Sequence, residues 1–92
     1  MLLIKFYGYI KTITGRAKVS IDCEENWNIR DLIYFLGEEY GQEVPGFIMD
    51  NSTLSEQVNV FVNSRSIIDL DNEETLLDND SVVVFIPRIA GG

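Results

Sequence analysis

One stretch of this chain carries a helical period, and alternating segments flank it on both sides. Ile29, Leu32, Ile33, Leu36 and Tyr40 fall on one face of a 3.6-residue helix. Ahead of them, Leu2, Ile4 and Phe6 alternate with Leu3, Lys5 and Tyr7, and Ala17, Val19 and Ile21 alternate with Lys18, Ser20 and Asp22. Behind them come Val58, Val60 and Val62, with Phe61 on the opposite side, and then the run from Ser81 to Pro87. One amphipathic helix can cover one face of a sheet and leaves the other open. The chain is therefore restricted to a single α+β pair of layers, and 92 residues hold one such domain.

The helix has readable ends. Asn28 is placed to cap the first turn, Asp31 suits the positive end of the helix dipole, and Trp27 and Leu32 have the spacing of a hydrophobic staple. Gly41 is placed to end the helix in a left-handed conformation. Gly37, inside the helix, costs about 1 kcal/mol relative to alanine, which a close approach of helix to sheet would explain. Tyr9 to Thr14 reads as a short connection closed by Gly15, and Glu43 to Gln57 as a long loop with a turn of helix near Thr53–Glu56. Asn63-Ser64-Arg65 reads as a turn into a short strand at Ser66–Ile68. In the final strand Val82, Val84 and Ile86 take one side and Val83 and Phe85 the other. Apolar residues on both sides predict a central strand, or one whose outer face meets a partner.

Composition excludes several kinds of function. Seven Lys and Arg against fifteen Asp and Glu give a net charge of −8, with no basic stripe to offset it, so nucleic acid and anionic membrane surfaces are not expected partners. The chain has no histidine and one cysteine, Cys23, which removes the commonest general base, an internal disulfide and a multi-cysteine metal site. No apolar run approaches a membrane span and no signal-peptide pattern is present, so a cytoplasmic location is expected. Cys23 reads as a small strand-end residue, since Glu24 and Glu25 would raise its thiol pKa. The carboxylates between Asp69 and Asp80 lack EF-hand spacing and read as a solvated, charge-rich loop that steers the protein toward basic clefts.

The chain closes on Pro87-Arg88-Ile89-Ala90-Gly91-Gly92. Pro87 ends the strand by removing a ladder donor. From Arg88 onward the tail can reach about 17 Å and tapers to two residues without a Cβ. Such a tail can thread a narrow channel and present its carboxylate to a reactive group. Terminal glycines are also the commonest frayed ends. Here the tail follows the last core strand directly, which favours function, with 1–87 as the domain and 88–92 as a flexible tail.

Several blocks along the chain resemble the MoaD/ThiS-type ubiquitin-like sulfur carriers. Phe6-Tyr7-Gly8 through Thr14-Gly15, Asn28-Ile29-Arg30-Asp31-Leu32, Val60-Phe61-Val62-Asn63, Leu76-Leu77-Asp78-Asn79-Asp80-Ser81-Val82 and Gly91-Gly92 follow the family's order and spacing. The resemblance is nearest to the molybdopterin synthase small subunit, although Arg88 stands where those proteins often carry a second proline. Asn79 stands where the family usually has glycine, a turn position that asparagine can fill at positive φ.

The resemblance implies a β-grasp fold, with about five mixed strands on one main helix and the first and last strands parallel at the centre. It implies a carrier without an active site of its own. An E1-like enzyme of the MoeB/ThiF type would spend ATP to adenylate the Gly92 carboxylate, and a sulfurtransferase would supply the sulfur of a thiocarboxylate. The acceptor would be a MoaE-type molybdopterin synthase large subunit or another sulfur acceptor, as in tRNA or thiamine thiolation. A ubiquitin-like modifier joined to lysines through Gly92, and a plain interaction domain, remain the alternatives. No cofactor is expected on the chain itself. Leu3, Tyr7, Phe61, Val83 and Phe85 are expected to form a docking face opposite the helix, continuing through Pro87, Arg88, Ile89, Ala90 and Gly91.

Overall fold

The computed structural model describes residues 1–23, 26–51 and 53–88. Its elements are β1 (Leu2–Phe6), α1 (Gly8–Thr14), β2 (Lys18–Ile21), α2 (Ile29–Tyr40), α3 (Glu43–Ile48), β3 (Met49–Asp50), β4 (Thr53–Leu54), β5 (Val58–Val62), β6 (Arg65–Ser66) and β7 (Val82–Pro87). Two 3₁₀ turns, Ile67–Asp69 and Asn72–Glu74, lie between β6 and β7. Among the described residues the strands form a five-stranded sheet in the order β2-β1-β7-β5-β6, and β3 and β4 form a separate hairpin. β1 and β7, the first and last strands, are parallel and central, as expected.

The helix start is a reciprocal cap. The Asp31 backbone N–H donates to Asn28 Oδ1 at 2.9 Å, and the Asn28 N–H donates to Asp31 Oδ2 at 3.0 Å. The same end is stitched to the acidic stretch, where Ile29 N–H donates to the Thr75 carbonyl and Leu77 N–H to the Trp27 carbonyl. Glu74 accepts from Asn28 Nδ2 and pairs with Arg30, whose pKa that hydrogen bond raises further. The Asp69–Asp80 stretch is thus partly built into the fold. Trp27 rests at a tilt against Phe35, with ring centroids 5.3 Å apart. Leu32, Ile33 and Leu36 are fully buried and share one core with Leu2, Ile4 and Phe6 of the sheet.

Three expectations are corrected. Gly8 to Thr14 is a helix, not a connection: Ile10, Ile13 and Thr14 hold one face, and Gly15 caps it at φ 72°. Glu43 to Leu54 is a short helix followed by a hairpin, with Val44, Pro45 and Ile48 buried. Pro45 accounts for Gly37, because a Cβ there would lie 2.8 Å from Pro45 Cγ. The close approach is helix to helix, not helix to sheet. Smaller differences follow the same pattern. Gly41 takes φ 109° outside the left-handed helical region, and the strand after the Asn63 turn is Arg65–Ser66, passing at once into a 3₁₀ turn.

Candidate functional site

β7 carries the chain to its terminus, so its two neighbours determine which side chains surround the tail root. Parallel pairing sets Ile4 beside Val83 and Phe6 beside Phe85, and antiparallel pairing sets Val62 beside Val83 and Val60 beside Phe85. These are all inward positions. Val83 and Phe85 are fully buried, and the Phe85 ring lies nearly parallel to Phe6 with centroids 6.0 Å apart. The expectation that they face a partner is therefore corrected: they belong to the core. A strand apolar on both sides does not reveal its own register, and one residue of slip exchanges its faces.

The open face takes the other set. Val82 and Val84 are partly exposed and stand beside Leu3 and Phe61, which lie where the sequence put them, and the more exposed Ile86 stands beside Asn59. Tyr7, just beyond β1, is 48% exposed and donates its backbone N–H to the Phe85 carbonyl. The result is an apolar band across the central strands. Parity against the neighbouring strands was the signal that could have selected Val82, Val84 and Ile86.

The tail root is fixed from two sides. Gly8 has φ +58°, and a Cβ there would meet Pro87 Cγ at 2.9 Å, so a glycine lets α1 begin against the end of β7. On the other side Arg88 N–H donates to the Gln57 carbonyl at 2.6 Å, and Arg88 Nη2 donates to Asn59 Oδ1 at 2.9 Å. Arg88 thus continues the ladder past Pro87, which a second proline at this position could not do. Ile89, Ala90, Gly91 and Gly92, with the adenylation role expected of Gly92, lie outside the described residues, as do Glu24 and Glu25 beside Cys23.

At the other end of β7, Asn63 sits at φ 51°, and its Oδ1 accepts the Val82 N–H at 2.8 Å. Asn79 is not among the residues at positive φ; its side chain accepts the Cys23 N–H at 2.8 Å. Asparagine here supplies a tie between the end of β2 and the turn before β7, a contact glycine could not make. Among the described residues no cluster of three metal-ligating side chains occurs and no helix is long and apolar enough to cross a membrane. The arrangement offers an open apolar face beside the end of β7.

The ThiS family matches residues 4–92. This chain belongs to that family. It is 25% identical over 91 residues to small archaeal modifier protein 3 of Haloferax volcanii, covering 99% of this chain and 98% of that protein. A solution structure of a Haloferax volcanii protein is similar at 25% identity and TM-score 0.84, covering 99% of this chain and 85% of that one. A Pyrococcus furiosus protein assigned as molybdopterin converting factor subunit 1 shares the fold at 20% identity and TM-score 0.76, covering 96% and 97%. The family is that of ThiS/MoaD-type ubiquitin-like sulfur carriers, and the fold is their β-grasp.

Proposed function

We propose that this protein is a sulfur carrier that works through the carboxylate of Gly92. The observation that carries the reading is a family match running through Gly92, on a chain whose last core strand ends five residues before it. A carboxylate is a poor electrophile; joined to AMP by an E1-like, MoeB/ThiF-type enzyme, with loss of pyrophosphate, it becomes a good one. The outer sulfur of a sulfurtransferase persulfide then displaces AMP to form an acyl disulfide, and a thiol cleaves its S–S bond, leaving the thiocarboxylate and a disulfide. The domain contributes a docking face and a fixed tail root, and its partners contribute the acid–base chemistry. The acceptor we favour is a MoaE-type molybdopterin synthase large subunit, on the sequence blocks that resemble its small subunit.

A second reading has its own support. The 25%-identical curated relative is named a modifier, and a Gly92 acyl-adenylate can equally be passed to a lysine amine. Intact-mass measurement of the protein recovered from its own cells separates the two. Replacement of one terminal oxygen by sulfur is expected for the carrier. Heavier conjugates that survive reducing denaturation would transfer the reading to the modifier, and a cofactor pathway and conjugate pattern both unchanged by deleting Gly92 would leave an interaction domain.

A further inference from the structure

Charge on this chain is divided first along the sequence and then by the fold. Residues 1–21 hold Lys5, Lys11, Arg16 and Lys18 with no Asp or Glu, a charge of +4. Residues 22–92 hold three Arg and all fifteen carboxylates, a charge of −12, which with the +4 makes the net −8. The cationic segment becomes β1, α1 and β2, with β2 at one edge of the sheet and β1 next to it. Strand pairing then places Lys5 directly opposite Lys18. Like charges directly opposite on a sheet are destabilising. Among the described residues the ion pair is Arg30–Glu74, so no described carboxylate lies within 4.0 Å of Lys5, Lys11 or Lys18.

The outward positions of the five paired strands are apolar or neutral apart from Lys5 and Lys18, and none is Asp or Glu. Lys5, Lys11 and Lys18 line one shallow concavity of about 380 Å³ together with Tyr7 and Gly8. Gly8, which also lines the concavity, is the residue packed on Pro87, so the lysines lie to one side of the tail root and continue the apolar band of Leu3 and Val84. The fold therefore keeps an unneutralised cationic edge beside the place where its chemistry emerges.

We propose that the Lys5–Lys18 pair, with Lys11, receives a carboxylate-bearing strip on the MoeB/ThiF-type enzyme that activates the tail. This rests on the carrier reading and deepens it. The net charge alone predicts basic partners; the open face, which has no carboxylate in its paired strands, selects an acidic surface at the point of contact. Continuity with the apolar band favours a protein over a phosphate-bearing ligand. A nucleic acid long enough to reach past the lysines would also meet the −12 charge of the remaining chain.

The test is ATP–pyrophosphate exchange by the MoeB/ThiF-type enzyme of the same organism, with the full-length carrier varied as substrate. Lys5→Glu/Lys18→Glu should raise the KM for the carrier about tenfold at low salt with little change in kcat. The wild-type KM should climb with salt and the variant's should not, while Lys5→Arg/Lys18→Arg should keep the wild-type value. Thermal melting guards against misfolding. Lys5→Glu alone replaces a like pair by an opposite one, so its melting temperature should equal or exceed the wild type's while its KM rises. A wild-type KM and salt response in the double glutamate variant would overturn the proposal and leave the carrier reading standing. No exchange with the wild-type chain would overturn the carrier reading itself. Saturable binding of inorganic pyrophosphate or a single-stranded oligonucleotide at these lysines, with KM unaffected, would assign the edge to phosphate instead.

Discussion

The two sides of β7 differ little in composition and entirely in fate. Val83 and Phe85 are fully buried under the helices, while Val82, Val84 and Ile86 line a face left partly or largely exposed among the described residues. Both sides are apolar, so hydrophobicity did not decide between them; the register with β1 and β5 did. The difference teaches that an apolar side chain at the centre of this sheet has either of two roles, cohesion or recognition. Its strand partners determine which.

Substitutions on the two sides should separate cleanly, and the largest effect belongs to the core. Phe85→Ala removes a buried ring stacked on Phe6 and should cost about 3–5 kcal/mol in denaturant unfolding. A loss below about 1 kcal/mol would place Phe85 outside the core and dissolve the contrast. Next comes a matched pair of equal shape. Val83→Thr buries a hydroxyl where valine is fully enclosed and should cost roughly 1–3 kcal/mol, whereas Val84→Thr should stay within about 0.5 kcal/mol. Equal losses from the two threonines would mean that the open face is covered. Gly8→Ala forces a side chain into a positive-φ site against Pro87 and should cost about 1–2 kcal/mol. It tests whether the tail root is held as tightly as the strand behind it. The smallest expected stability change is Phe61→Ser, within about 0.5 kcal/mol, and it is the one expected to weaken exchange by the activating enzyme. If stability and exchange fall together, Phe61 belongs with Phe85.

The long-range frame was legible because its signals are long. Five regularly spaced apolar residues and a capping pair mark α2, and the alternation in β1, β2 and β5 marks their inner faces. What escaped were short elements and relations between strands. α1 has seven residues and α3 six, too few for a periodic pattern to stand out, although Ile10, Ile13 and Thr14 ahead of Gly15 carried the trace of one. The β3–β4 hairpin has two residues per strand and is held from outside, with the Leu54 N–H donating to Glu73 Oε1. At the site, Leu3, Tyr7 and Phe61 were legible from alternation within strands that have one polar side. Val83 and Phe85 were not, because their strand has none. The charge division was open to a reader of residues 1–21, and averaging over the chain hid it.

Arg88 sets a length. Its N–H carries the sheet one residue beyond Pro87, so while that bond to Gln57 holds, four residues separate Arg88 from the Gly92 carboxylate on which the proposed chemistry rests. Four residues span at most about 14 Å, one residue less than a leash beginning at Pro87 would give. On the carrier reading proposed above, the sheet margin would then act as a ruler for the reactive end. Any enzyme that works on that end must hold its reactive group within this radius of the β7–β5 margin, or first unfasten Arg88 to gain one more step of chain.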